Sequence, residues 1–205
     1  MLRPLKRRPR PSANAPRDAP DRPRKRPVVL CDDAAYAEIE ALARRSRVVA
    51  VGEIGLDYYH NPPEGFDAYS WKAHQARVLR QQLDVAVELG LNVILHARES
   101  QADLVEAVRP YTGRLRGVFH CFTETADVAR AGLDLGLYIS FSGILTFKTA
   151  ADLREVAALV PADRLLIETD SPYLAPMPYR GKTNNPSYVP WVAKQIAELK
   201  ACAVE

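Results

Sequence analysis

The sequence predicts an α/β chain built on a parallel sheet, and three observations carry that reading. Short apolar runs at Val48–Val51, Val93–Leu95, Val118–Phe119 and Leu165–Ile167 have the length and composition of buried strands. Stretches with helical periodicity separate them, the alternation from which parallel sheets are built. Just beyond each run stands an ionisable residue, Glu53, His96, His120 or Asp170. Ligands of such folds collect at the carboxyl ends of the strands.

In chain order, Asp32 and Asp33 open a helix that runs to about Arg45, with Ala35, Ile39 and Leu42 on one face. The first strand, Val48–Gly52, ends at Glu53, and Asn61, Pro62 and Pro63 mark a loop. A long helix follows from about Asp67 to Leu89, carrying Trp71, Val78, Leu79, Leu83, Ala86 and Val87, and Gly90 closes it. The strand Asn92–Leu95 ends at His96, and Ser100 with Asp103 reads as a capping box for the next helix. Arg116–Phe119 ends at His120, and the helix Glu124–Leu135 ends at Gly136. The strand Leu137–Phe141 runs into Ser142-Gly143, and Thr149 with Asp152 caps a helix through Val160. The last strand, Arg164–Ile167, leads to Glu168-Thr169-Asp170-Ser171-Pro172, a proline-rich loop and a helix over Val189–Lys200. Five strands are clear, and Val28–Leu30 is a candidate sixth. A full (β/α)8 barrel takes about 250 residues, so the expected architecture is an incomplete TIM barrel with open strand edges.

With 205 residues and 47% apolar content, the chain can bury a core as one domain. No apolar run has membrane-spanning length and no secretory h-region stands at the start, so no membrane partner is expected. Three cysteines without paired spacing point to a reducing, cytoplasmic setting, with Cys121 a buried structural thiol. The net charge of +3 hides a split. Residues 1–27 hold ten Lys/Arg, two Asp and seven of the 16 prolines, a local +8, and the remainder carries −5. That first segment has too little apolar surface to offset its ordering entropy and is expected to be disordered, leaving 28–205 as the folded domain. Its basic charge fits nucleic-acid contact, but also a solvated tail, or translated GC-rich DNA upstream of the true start.

Two carboxylates and two imidazoles at one rim form a ligand set suited to one or two divalent ions, Zn, Mg or Mn. Glu53 lies between Gly52 and Gly55, which allow close backbone approach, and a carboxylate there can bridge two metals. His96 alone would read as a satisfied core group; its recurrence at His120 favours two ligands. Asp170 can hold metal and accept a proton from water. Glu168, two residues earlier on the same face, orients the site or forms a buried ion pair. Asp57 is an outer partner of the site or a turn residue. Arg98 suits a bidentate phosphate contact or a surface ion pair. The loop with Arg180, Lys182 and Asn184 suits phosphate contacts or is plain surface. Tyr58 and Tyr59 stack on a base or pack, and His74 is structural.

Together, VGEIGLDYY at 51–59, ILHARES at 94–100, GVFHCF at 117–122, GLYISFSGILTFK at 136–148 and LLIETDSPYLAPMPYRGKTNNP at 165–186 resemble the TatD-type metal-dependent deoxyribonucleases. The resemblance spans about residues 32–205 and implies an amidohydrolase-like TIM barrel with a one- or two-metal site. It also implies hydrolysis of DNA phosphodiester bonds, often exonucleolytically on single strands. Carried over by motif, Glu53 is the bridging ligand, His96 and His120 are ligands, and Asp170 is ligand and base. Family members open with a strand ending in His-x-His, then a second strand, and close with a terminal helix. No His-x-His occurs among the four histidines here, so the chain is expected to be truncated at both ends. Three rivals remain open: a catalytically impaired fragment, a nucleic-acid-binding remnant using the basic tail, and a different hydrolase on the same scaffold.

Overall fold

A computed structural model describes residues 31–204. Both the basic segment 1–27 and the candidate strand Val28–Leu30 lie outside the described residues. Five strands, β1 (Ala50–Asp57), β2 (Asn92–Arg98), β3 (Arg116–Phe119), β4 (Tyr138–Phe141) and β5 (Leu165–Ile167), form one sheet. They pair in chain order and every pair is parallel, as the alternation requires. Helices α1 (Asp33–Ala43), α2 (Ala68–Leu89), α3 (Gln101–Val108), α4 (Ala126–Asp134), α5 (Ala151–Leu159) and α6 (Val189–Lys200) alternate with them. Among the described residues the sheet supplies five staves of a (β/α)8 barrel, with β1 and β5 outermost.

Register divides the sheet into two faces. Val93, Leu95, Phe119, Ile139 and Phe141 are buried on the helix side, against Leu79, Leu83, Leu104 and Val108 from the helices. Residues of the opposite phase, among them Ile94, Val118, Ser140 and Leu166, line the inner face. Extending that phase past the strand ends brings His96, His120 and Glu168 to the same side. The backbone continues the ladder there, with His120 N donating to Leu95 O at 3.0 Å and Glu168 N to Phe141 O at 3.0 Å.

The first two strands are longer than the sequence suggests. β1 continues to Asp57 and β2 to Arg98, so Glu53 and His96 lie within strands rather than at their ends. The cause is a bulge in β1: Val51 pairs with Val93 and Ile54 with Leu95, three steps against two. In an unbroken strand Glu53 would share the helix-facing phase of Val51. The extra residue frees it for the inner face and returns Ile54 and Leu56 to the core, where both are buried. Gly55 sits opposite His96, and a Cβ there would lie 2.0 Å from His96 O, so only glycine permits this pairing.

Helix caps depart from expectation at two places. Asp32 and Asp67 cap α1 and α2, and Gly90 ends α2 in the left-handed region at φ 65°. Ser100 makes no cap bond; its hydroxyl donates to Leu56 O at 2.5 Å and ties the α3 start to β1. Thr149 is likewise not a cap, because α5 begins at Ala151 behind Ala150. In α1 the buried residue is Ala43, one position past the expected Leu42, which is exposed. Among the described residues, no helix is long and apolar enough to cross a membrane.

Candidate metal centre

Glu53, His96 and His120 converge from β1, β2 and the end of β3. Glu53 Oε1 lies 2.7 Å from His96 Nδ1 and 2.7 Å from His120 Nε2, and the two ring nitrogens are 3.4 Å apart. Glu53 crosses over β2 to reach His120, so the inner face draws three strands to one point. A second group, His120, Glu168 and Asp170, adjoins it through the same imidazole. In each group one ligand atom per residue falls within 4.8 Å of the others.

A carboxylate stands behind each ring, but only the one behind His120 is within hydrogen-bond range. His120 Nδ1 lies 3.1 Å from Glu168 Oε1, and Ser140 Oγ donates to Glu168 Oε2 at 2.5 Å. A carboxylate on Nδ1 fixes the proton there and leaves Nε2 free to coordinate. His96 Nε2 faces Asp57 at 3.7 Å. Gln75 clamps Asp57 at both backbone groups: Asp57 N donates to Gln75 Oε1 at 2.8 Å, and Gln75 Nε2 donates to Asp57 O at 3.0 Å. Sequence reading gave Gln75 no role, because a polar residue on a helix face carries no sign of a partner 18 positions away.

The electrostatics follow from these contacts. Hydrogen bonds from His120 and His96 hold the Glu53 carboxyl far below its ordinary range. Asp57 and then Glu53 raise His96 to about 9. Burial opposes protonation of His120, but Glu168 and Glu53 outweigh it and raise the ring to about 10. At Glu168 burial opposes ionisation, and His120 and Ser140 still pull the carboxyl down. Asp170 goes the other way: burial raises it, with Glu168 and Glu53 adding and His120 opposing. Cys121, beside Ser142 Oγ at 3.2 Å, is pushed up to about 12 chiefly by burial, which makes it a poor nucleophile.

The donor chemistry fits a divalent cation. One carboxylate oxygen and two imidazole nitrogens already face one another at hydrogen-bond range, His120 has a carboxylate bonded behind it and His96 has one 3.7 Å away, an arrangement that suits zinc or manganese. Both rings would lose a proton on coordination.

The remaining candidates fall into two classes. Arg98 lies next to the centre, its Nη1 3.7 Å from Asp57 Oδ2. Arg180 and Lys182 belong to the loop beyond β5, where their partners are rings: Arg180 over Phe147 at 4.5 Å and Lys182 over Tyr179 at 5.7 Å. Asn184 does not present its amide to a substrate. It is buried, and its Nδ2 donates to Thr169 O and Tyr173 O, each at 2.6 Å. Its backbone N donates to Pro172 O at 3.0 Å, so Asn184 pins both sides of the turn that carries Asp170, itself at φ 56°. His74 is structural, stacked on Trp71 at 5.5 Å.

Comparison with known proteins fixes the ancestry. The family model described as TatD related DNase matches residues 16–205. The chain belongs to the TatD-related DNase family. It is 47% identical over 169 residues to the uncharacterized metal-dependent hydrolase YcfH of Escherichia coli K12, covering 82% of this chain and 61% of that protein. It is 38% identical over 176 residues to a protein of Cronobacter sakazakii named 3'-5' ssDNA/RNA exonuclease TatD. Among solved structures, the TatD homologue YjjV of Escherichia coli K12 superposes with a TM-score of 0.72 at 32% identity, over 82% of this chain and 63% of that one. The chain thus spans about 61% of the length of such curated relatives.

Proposed function

We propose that this chain carries the metal centre of a metal-dependent hydrolase acting on DNA phosphodiester bonds. The observation that supports it most is the single oxygen of Glu53 at 2.7 Å from ring nitrogens of both His96 and His120. Glu53, His96, His120 and Asp170 would hold one or two divalent ions, Zn, Mg or Mn. Bound there, a divalent ion supplies a more acidic water and charge stabilisation at the phosphoryl oxygens. Asp170 and Glu53 act as the catalytic carboxylates. In this reading Asp170, grouped with His120 and Glu168, accepts the proton of the attacking water. Arg98, Arg180 and Lys182 bind the substrate backbone, and the name of the Cronobacter relative favours a single strand, taken from an end. A cytoplasmic setting and a single domain over 28–205 complete the reading.

The test is digestion of end-labelled single-stranded DNA with Mg, Mn or Zn, by the chain and by Asp170→Asn. Metal-dependent cleavage lost by at least about 100-fold in the variant is expected. Cleavage that survives the substitution, or that never depends on metal, contradicts the reading.

A further inference from the structure

Beside the metal centre is a cationic, aromatic lip that the centre itself does not use. Asp57 is the joint between the two. Its Oδ2 lies 3.7 Å from His96 Nε2, 3.7 Å from Arg98 Nη1 and 2.9 Å from His60 Nδ1. At 3.7 Å the Arg98 guanidinium is beyond hydrogen-bond range of Asp57, so that contact consumes none of its donors. The Arg98 side chain is 49% exposed, and its guanidinium lies over the Tyr59 ring, 5.7 Å from the centroid. His60 meets the same ring edge-on at 5.3 Å. Tyr59 itself is 44% exposed, although a large ring gains by burial.

The neighbouring rings are committed elsewhere. Tyr58 donates its hydroxyl to Asp103 at 2.9 Å, and Lys72 covers its ring at 4.0 Å. Phe66, Trp71 and His74 pack on one another. Tyr59 is thus the exposed ring of this loop nearest the site, and the cation over it is a guanidinium one carboxylate away from His96.

We infer that Arg98, Tyr59 and His60 form a nucleotide subsite of a single-stranded polynucleotide, adjoining the position of the scissile phosphate. Arg98 binds the next phosphate of the strand, and Tyr59 stacks on the base that phosphate carries. The chemistry suits a single strand because an unpaired base offers a free π face, and stacking tolerates any base identity. It adds to the phosphate contacts a demand for a base, which phosphates alone cannot impose. The inference rests on the proposed metal centre as the place where the scissile phosphate sits.

Its test is direct binding, kept apart from turnover. Fluorescence anisotropy in EDTA measures a short oligothymidylate against the chain, with an abasic nucleotide walked along the strand. Tyr59→Leu weakens the intact strand about 5- to 100-fold, while Tyr59→Phe, which keeps the ring, binds like the parent. With the abasic nucleotide at one particular position, parent and Tyr59→Leu become equal. Arg98→Gln lowers the slope of log K against log salt by about 0.7, and Tyr59→Leu leaves that slope unchanged. Equal binding by Tyr59→Leu and Tyr59→Phe, or a Tyr59 effect that persists at every abasic position, overturns the subsite. So does a parent chain that does not bind the strand. A strand bound as described but cleaved with no metal overturns the proposed reaction and leaves the subsite standing.

Discussion

Glu168→Gln isolates what a carboxylate behind a ligand contributes. The side chain is three-quarters buried, keeps its shape on substitution, and has two partners: His120 Nδ1 at 3.1 Å and Ser140 Oγ at 2.5 Å. Glutamine retains one oxygen to accept from either partner but loses the charge that makes His120 electron-rich and fixes its tautomer. Removing such a partner costs about 10- to 100-fold in metal affinity, which is about 1.4–2.8 kcal/mol. The upper end is expected here, because the same carboxylate also fixes Ser140 and lies two residues from Asp170. Competition of Zn or Mn against a chromophoric chelator, at a pH near 7, measures it. Ser140→Ala, which removes only the neutral partner, is expected to fall below tenfold. An affinity within twofold of the parent in Glu168→Gln refutes the claim that this carboxylate orients His120.

Three further outcomes follow from the same geometry. Without metal, stability follows the shifted groups. His96 and His120 are raised from 6.5 to about 9 and about 10, so their contribution is complete below 6.5 and is lost as pH rises through 9 to 10. Glu53, lowered from 4.5, contributes above 4.5 and loses that contribution in acid. Calorimetry in chelator should therefore show the highest Tm between 4.5 and 6.5, and added Zn should raise Tm more at pH 8 than at pH 6, because coordination releases the ring protons. A Tm still climbing from pH 7 to 9 in chelator contradicts this. Asn184→Ala removes a buried amide that donates to the Thr169 and Tyr173 carbonyls and should destabilise by about 1–3 kcal/mol in urea unfolding; a loss under 0.5 kcal/mol would show that the turn holds itself. Gly55→Ala forces a Cβ to 2.0 Å from His96 O and should cost about 3 kcal/mol or more, with loss of metal binding. A soluble, metal-binding alanine variant would show that β1 shifts freely past β2.

Much of this was legible in the sequence. Five apolar runs marked five strands in the right order, and the ionisable residue just beyond each of four runs marked the rim where Glu53, His96 and His120 meet. What escaped was the reach of each strand. The continuous apolar run stops at Val51, so the sequence marks the end of β1 at Glu53. A bulge, marked in the sequence only by the change of apolar phase from Val51 to Ile54 and Leu56, brings Glu53 inward. Asn184 shows the opposite failure. In a basic, amide-rich loop it read as a substrate contact, but burial turned its amide to Thr169 and Tyr173. Ser100 likewise stood at a cap position and bonded across to β1, because a hydroxyl serves whichever carbonyl the packing brings near. Local patterns specify elements; partners such as Gln75 and Asp57 are set by packing across the sheet.

The central claim is that Glu53, His96 and His120 hold the catalytic ion, and anomalous diffraction at the zinc edge from crystals grown with zinc tests it most directly. A strong peak bonded to Glu53 and to the facing nitrogens, His96 Nδ1 and His120 Nε2, is the predicted result. Zinc bound elsewhere on the chain, with these three side chains still bonded only to one another, would contradict it.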